Sequence, residues 1–268
     1  MSDDILSMQP PPADTRLRYG QSKFHFGDLR LPVGTGPHPV VVGIHGGFWR
    51  ARYDLTHFSH VCAALTAAGI ATWNIEYRRL GNIGGGWPNT LLDVAHATDH
   101  LRVLAKTYPL DLSRVITLGH SAGGHLALWV AAHRHLPAGN PLHTPNPLLL
   151  RAAVSLAGVV DLRRAWELRL SNGVVKNLIG GTPEKYPDRY AAASPIELLP
   201  IHIRQVLLHG DHDGTVPIEI SRHYRDAAHH EGDDVTLVEL PGADHYELID
   251  PRSREWSTVL HTVQTLLR

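Results

Sequence analysis

The sequence predicts an α/β fold with a mainly parallel central sheet and helices on both faces. Three observations lead there. Short apolar runs rich in β-branched residues alternate with helical patterns along the whole chain, and most of those runs end in turns containing glycine or an acid. The length of 268 residues, 43% of them hydrophobic, suits one large domain with a well-buried core.

Taken in order, residues 1–18 read as an amino-terminal arm, because Gln9-Pro10-Pro11-Pro12 favours extended backbone. The arm is expected either to be mobile or to pack on a partner subunit of a homodimer. Residues 19–268 then form the single domain. Strands are expected at 23–28, 40–44, 71–76, 115–118, 152–156, 206–209 and 236–240, where apolar and β-branched residues run together. Helices are expected at 58–68, 90–108, 123–135, 218–231 and 253–267. A Pro-rich surface loop covers 137–147. Between Gly158 and Pro200 the pattern turns irregular, with short helical pieces at 162–168 and 174–179. The segment 158–204 is therefore read as a cap or lid insertion over a pocket.

The chemistry concentrates where strands end. Gly119-His120-Ser121-Ala122-Gly123 sits between the 115–118 strand and an apolar helix, so Ser121 occupies a tight strand-to-helix turn. Glycines flank such a serine because strand and helix backbones approach too closely for side chains. A serine hydroxyl is a weak nucleophile and needs a base to take its proton, and the base needs an acid to orient it. The run Val206-Leu207-Leu208-His209-Gly210-Asp211-His212-Asp213 supplies the acid at the end of the next strand but one, and Leu240-Pro241-Gly242-Ala243-Asp244-His245 supplies the histidine after the last. That gives Ser121 as nucleophile, Asp213 as orienting carboxylate and His245 as general base. Asp211 is the competing acid, and its other reading is a turn cap. Glu76 and Asp250 are weaker acid candidates.

The strand 40–44 runs into His45-Gly46-Gly47-Phe48-Trp49, a glycine pair suited to presenting backbone N–H groups to an oxyanion. Gly46, Gly47 and Ala122 are the expected donors. Phe48, Trp49, Trp87 and His120, the variable residue of the elbow, are expected to contact substrate.

These residues resemble the α/β-hydrolase superfamily over nearly the whole chain, and the HGGFW run is similar to the HGGYW-type motif of arylformamidases (kynurenine formamidases) and related carboxylesterases. The resemblance rests on Tyr19-Gly20, Asp28 to Pro32, Glu76-Tyr77-Arg78, the GHSAG elbow, the HGDxDxxVP turn and His245. It implies an α/β-hydrolase fold with the triad Ser121, Asp213 and His245 and oxyanion donors at Gly47 and Ala122. Phe48 stands where that motif has tyrosine.

A formal net charge of −1 gives no electrostatic reason to expect nucleic acid or an anionic membrane as partner. Cys62, the single cysteine, permits no internal disulfide. No apolar run reaches transmembrane length and the start of the chain is acidic, so a cytoplasmic location is expected. The 20 histidines form no HExxH pattern, so no metal and no cofactor are expected. The expected function is metal-independent hydrolysis of small carboxylic esters through an acyl-enzyme. Hydrolysis of N-formylkynurenine-like amides is the alternative, with small-peptide hydrolysis or non-catalytic binding behind it.

Overall fold

Strand pairing decides where the site sits. In the computed structural model, which describes residues 2–268, eight strands form one sheet in the order β1-β2-β4-β3-β5-β6-β7-β8. The strands are β1 (Thr15–Arg18), β2 (Phe26–Arg30), β3 (His38–Ile44), β4 (Ala71–Ile75), β5 (Leu110–His120), β6 (Ala152–Leu156), β7 (Arg204–Gly210) and β8 (Val235–Leu240). β1 and β2 run antiparallel at one edge, and β4 to β8 with β3 run parallel. All parallel carboxyl ends therefore open on one rim, where groups from β3, β5, β7 and β8 can meet.

The helices are α1 (Thr56–Ala67), α2 (Asn89–Asp99), α3 (Leu101–Leu104), α4 (Ala122–Ala132), α5 (Leu162–Glu167), α6 (Leu170–Ile179), α7 (Pro187–Ala193), α8 (Glu219–His230) and α9 (Trp256–Leu267). Two apolar layers flank the sheet, as a sheet covered on both faces requires. Phe58, Val61 and Leu65 of α1 and Val259 and Val263 of α9 pack on one face, with Ile116 and Leu118 of β5. Leu126, Leu128 and Trp129 of α4 and Tyr224 of α8 pack on the other, with Val115. Central strands are covered on both faces: every residue of β4 and β6 is buried.

Several boundaries differ from expectation. Residues 15–18, read as part of the arm, form the edge strand β1 and pair with β2. Nor is the rest of the arm a free extension, residue 1 lying outside the described residues. Ile5 is buried among Leu248, Ile249 and their neighbours, and Arg30 Nη2 donates to the Pro11 carbonyl at 2.9 Å. The expected helix 90–108 is two helices, α2 and α3, joined at His100. Residues 158–204 make three helices, α5 to α7, between β6 and β7. Asp161 caps α5 by accepting from the Arg164 N–H, and Pro187 begins α7 where its missing N–H costs nothing. Bonds from His125 Nε2 to the Ala193 carbonyl, 2.8 Å, and from Trp129 Nε1 to the Ala192 carbonyl, 2.9 Å, fasten this segment to α4.

Candidate active site

Ser121 occupies a backbone conformation that an L-residue rarely adopts, with φ 56° and ψ −119°, between the end of β5 and the start of α4. Such strain persists only where surroundings over-determine it, and here they do. The Ser121 N–H donates to the Leu156 carbonyl at 2.8 Å, while the Ser121 carbonyl accepts from His125 at 3.1 Å and Val159 at 3.3 Å. Glycines on either side make the turn possible. A methyl group on Gly119 would lie 2.0 Å from the Gly123 carbonyl oxygen, and one on Gly123 would lie 2.0 Å from that of Ile44. Both obstacles are backbone and cannot swing away. Gly123→Ala is expected to destabilise the fold by about 3 kcal/mol, the upper end of overpacking, as read by urea denaturation.

Beside the elbow, parallel pairing of β3 with β5 sets Ile44 opposite Gly119 and so places the Gly46-Gly47 turn against Ser121. A methyl group on Gly46 would come within 3.1 Å of Ser121 Cβ and 2.8 Å of the His120 carbonyl oxygen. Gly47 has φ 103°, and Tyr53 fills the space its side chain would take. Among the described residues neither the Gly47 nor the Ala122 N–H donates to a protein acceptor. His45, fully buried, holds this turn: its Nδ1 lies 2.9 Å from the Gly46 carbonyl oxygen and its Nε2 3.1 Å from Glu76 Oε1. Glu76 also accepts from the Tyr77 N–H and pairs with Arg79 at 3.1 Å. It anchors this turn and lies away from His245.

The acid and the histidine meet through the β7–β8 pairing. Asp213 Oδ1 accepts from the N–H groups of Thr215 and Val216, both at 2.8 Å, and its Oδ2 lies 2.6 Å from His245 Nδ1. His209 Nε2 approaches the same oxygen at 3.3 Å while donating to the Val216 carbonyl at 2.9 Å. Burial alone would raise the Asp213 carboxyl, but the hydrogen bonds from His209 and His245 and the charge of His245 outweigh it and hold the group far below the ordinary carboxylate range. Asp211 instead accepts from the Gly242 N–H at 2.6 Å, an exposed turn cap, and Asp250 pairs with Arg252 at 2.7 Å. With Oδ2 of Asp213 accepting from Nδ1–H, His245 keeps its proton on Nδ1 and presents a lone pair at Nε2.

Ser121 and His245 line one cavity of about 300 Å³. Phe48, Tyr53 and Tyr246 give it aromatic walls, and Gly47, Arg52, His57, Thr215 and Ser171 of α6 complete it. Arg50 Nη2 donates to the Ser171 carbonyl at 2.6 Å and so ties the 158–204 segment to the glycine turn.

Of the expected substrate contacts, only Phe48 reaches this cavity. Trp49 has no exposure and lies edge-on to His125 at 5.2 Å, because its φ of 55° turns the ring into the core. Trp87 packs under the Arg189 guanidinium at 5.5 Å, and its N–H donates to the Leu178 carbonyl, so it braces α6. His120 is wholly buried behind the cavity and bonds to the main chain of His245. Tyr53, His57, Ser171, Thr215 and Tyr246 carry no motif and were not foreseen as wall residues. Among the described residues no group of three or more histidine, cysteine, aspartate or glutamate side chains is arranged to hold a metal ion, and no helix is long and apolar enough to cross a membrane. Burial pushes the Cys62 thiol up to about 12, which leaves it unreactive.

Comparison with known proteins places the fold. A carbohydrate esterase from gut microbiota, solved in truncated form, superposes with a TM-score of 0.81 at 23% identity, covering 97% of this chain and 99% of that one. A thermophilic esterase of Thermogutta terrifontis superposes with a TM-score of 0.77 at 21% identity, covering 98% and 96%. The chain thus has the α/β-hydrolase fold. In sequence it is similar to the esterase LipC of Mycobacterium tuberculosis, 27% identical over 249 residues, which cover 88% of this chain and 60% of that protein's length. It is also similar to the kynurenine formamidase of Drosophila melanogaster, 24% identical over 251 residues, 91% of this chain and 78% of that protein. The BD-FAE family model matches residues 28–227, and the chain belongs to the BD-FAE family.

Proposed function

We propose that the protein is a metal-independent serine hydrolase that cleaves small carboxylic esters, with Ser121 as nucleophile, His245 as general base and acid, and Asp213 as the orienting carboxylate. The observation that carries this is the strained Ser121 facing the same cavity as a His245 whose Nδ1–H is bonded to Asp213. The esterase relative and BD-FAE membership support it.

In this reading Ser121 Oγ attacks the ester carbonyl carbon while its proton passes to His245 Nε2. The carbonyl oxygen becomes an oxyanion held by the N–H groups of Gly47 and Ala122, which are not spent elsewhere. Collapse of the intermediate breaks the bond to the leaving alkoxide, which receives the proton from His245 and departs as alcohol. Water then attacks the acyl-enzyme, again losing a proton to His245, and the carboxylic acid is released with Ser121 restored. Residues 158–204 serve as the cap, since Ser171 of that segment closes one side of the cavity. A chain whose one cysteine is a buried thiol fits a cytoplasmic location.

Hydrolysis of N-formyl aryl amides is the second reading, favoured by the similarity to the Drosophila formamidase. Phe48 in place of tyrosine argues for the ester, as does the easier departure of an alkoxide than of an anilide. Measured kcat/KM for p-nitrophenyl acetate against N-formyl-L-kynurenine decides between them. Ester turnover well above formamide turnover is expected; the reverse order would make the protein a formamidase.

A further inference from the structure

Ser121 follows directly on a histidine that the proposed chemistry does not use. His120 ends β5 without exposure to solvent. Its Nε2 lies 2.8 Å from the carbonyl oxygen of His245, and its Nδ1 lies 2.9 Å from Nε2 of His57 on α1. The three rings follow one another, with centroids 5.1 Å apart from His57 to His120 and 4.4 Å from His120 to His245.

The protons along this chain follow by elimination. A carbonyl oxygen only accepts, so His120 Nε2 carries a hydrogen. A second proton on Nδ1 would bury a cation against two imidazoles. Burial, then the neighbouring His245 and His57, hold His120 well below its ordinary value against the opposing pull of Asp213. Neutral His120 therefore accepts at Nδ1, and His57 must donate from Nε2. Burial first, then the nearby His45 and His245, push His57 down to about 3, so it too is neutral. Its Nδ1 is then a bare lone pair, and that atom is buried without a hydrogen-bond partner among the described residues. Every nitrogen in the chain has one assigned role and the direction runs one way, from His57 to His245.

We propose that His57 and His120 are positioning residues, a one-way hydrogen-bond relay that fixes the main chain of the general base against the nucleophile elbow. The proposal rests on the triad reading above. His245 stands on an irregular segment beyond β8, where no ladder of backbone bonds holds it. Asp213 orients its ring but not its backbone. His120 is covalently joined to Ser121 and hydrogen-bonded to His245, so one residue sets the spacing of nucleophile and base. His57 opposes turning of the His120 ring, because a ring flipped about Cβ–Cγ would set its Cδ2–H against the Nε2–H of His57 and its Cε1–H against the His245 carbonyl, losing both hydrogen bonds. The relay runs directly under the glycine turn: a methyl group on Gly46 would meet His57 Nε2 at 3.1 Å.

Two measurements test this. In a two-bond ¹H–¹⁵N correlation spectrum at neutral pH, His120 should show the neutral Nε2–H tautomer; an imidazolium or an Nδ1–H tautomer overturns the relay. In kinetics on p-nitrophenyl acetate, His120→Leu should lower kcat roughly 10- to 100-fold with little change in KM, the cost of a small misplacement of reacting groups. His120→Gln, whose amide N–H reaches the same carbonyl, should recover most of that loss. His57→Phe should lower kcat by a smaller factor, and adding it to His120→Leu should lower kcat no further, the effect of the altered cavity wall falling on KM. Unchanged kcat in His120→Leu, or kcat losses that multiply in the double variant, overturns the proposal. Should His120→Leu fail to fold, the glutamine variant, His57→Phe and the spectrum still decide. Fluorophosphonate labelling of the native protein keeps the two readings apart: an unlabelled Ser121 defeats the triad, whereas normal labelling with unaltered His120→Leu kinetics defeats the relay alone.

Discussion

Replacing Ser121 with alanine is expected to lower kcat toward the chosen ester on the order of 10⁶-fold, the scale on which removal of a triad nucleophile acts, with KM little changed. The side chain is small, and alanine can take up the same backbone only at the strain already present at φ 56°. The fold should therefore survive, and thermal unfolding should confirm it. The proposed oxyanion donors, Gly47 and Ala122, remain in the variant, so a residual rate above that in water is expected. A variant that kept more than about a hundredth of native kcat would assign nucleophilic attack to another group, since the residual contribution of binding and oxyanion donors is far smaller than that.

Asp213→Asn is expected to cost about 10⁴-fold in kcat, because it reverses a tautomer without emptying the site. Oδ1 can still accept from the Thr215 and Val216 N–H groups, both now at 2.8 Å. At the other position an amide N–H would face His245 Nδ1, 2.6 Å from the present carboxylate oxygen. The imidazole must then accept at Nδ1 and carry its proton at Nε2, where it can no longer take one from Ser121. His209 Nε2, 3.3 Å from the same oxygen, would also lose an acceptor. Asp211→Asn is the matched control. That residue only accepts from the exposed Gly242 N–H, so its kcat should stay within a few-fold of native. Equal losses in the two variants would contradict the division of roles between these carboxylates.

What was legible in the chain follows from how locally each feature is determined. Gly119 and Gly123 around Ser121 stand where an added Cβ would lie 2.0 Å from a backbone oxygen, which no other residue tolerates, so the elbow can be read from five positions. Strands buried on both faces, such as β6, announce themselves as mostly apolar runs. The orienting acid was harder, because Asp211 and Asp213 share one turn and only the pairing of β7 with β8 shows which of them meets His245. Edge strand β1 was missed because four residues, half of them arginine, carry no apolar run, and its assignment depends on the partner β2.

The aromatic wall was read least well, and for one reason. Trp49 neighbours Phe48 in sequence, yet consecutive positive φ values of 50° and 55° send one ring to the cavity and the other to the core. The wall residues that no motif marked come from four separate segments: Tyr53 and His57, Ser171, Thr215, and Tyr246. No spacing in the chain links them. Ser171 arrives there through a left-handed stretch, with φ 46° at Ser171, 58° at Asn172 and 70° at Gly173, a conformation that no helical periodicity foretells. His120 looked like a substrate contact because it sits inside the elbow motif, but successive residues of a strand face opposite ways, and its ring points back toward α1 and His57.

The central claim is that Ser121 is an activated nucleophile, and covalent labelling tests it most directly. Native protein incubated with a fluorophosphonate and digested should carry one equivalent of phosphonyl adduct on the peptide containing Ser121, with activity lost in proportion, and Ser121→Ala should carry none. Native protein that stays unlabelled, or an adduct that maps elsewhere and persists in Ser121→Ala, would contradict the account.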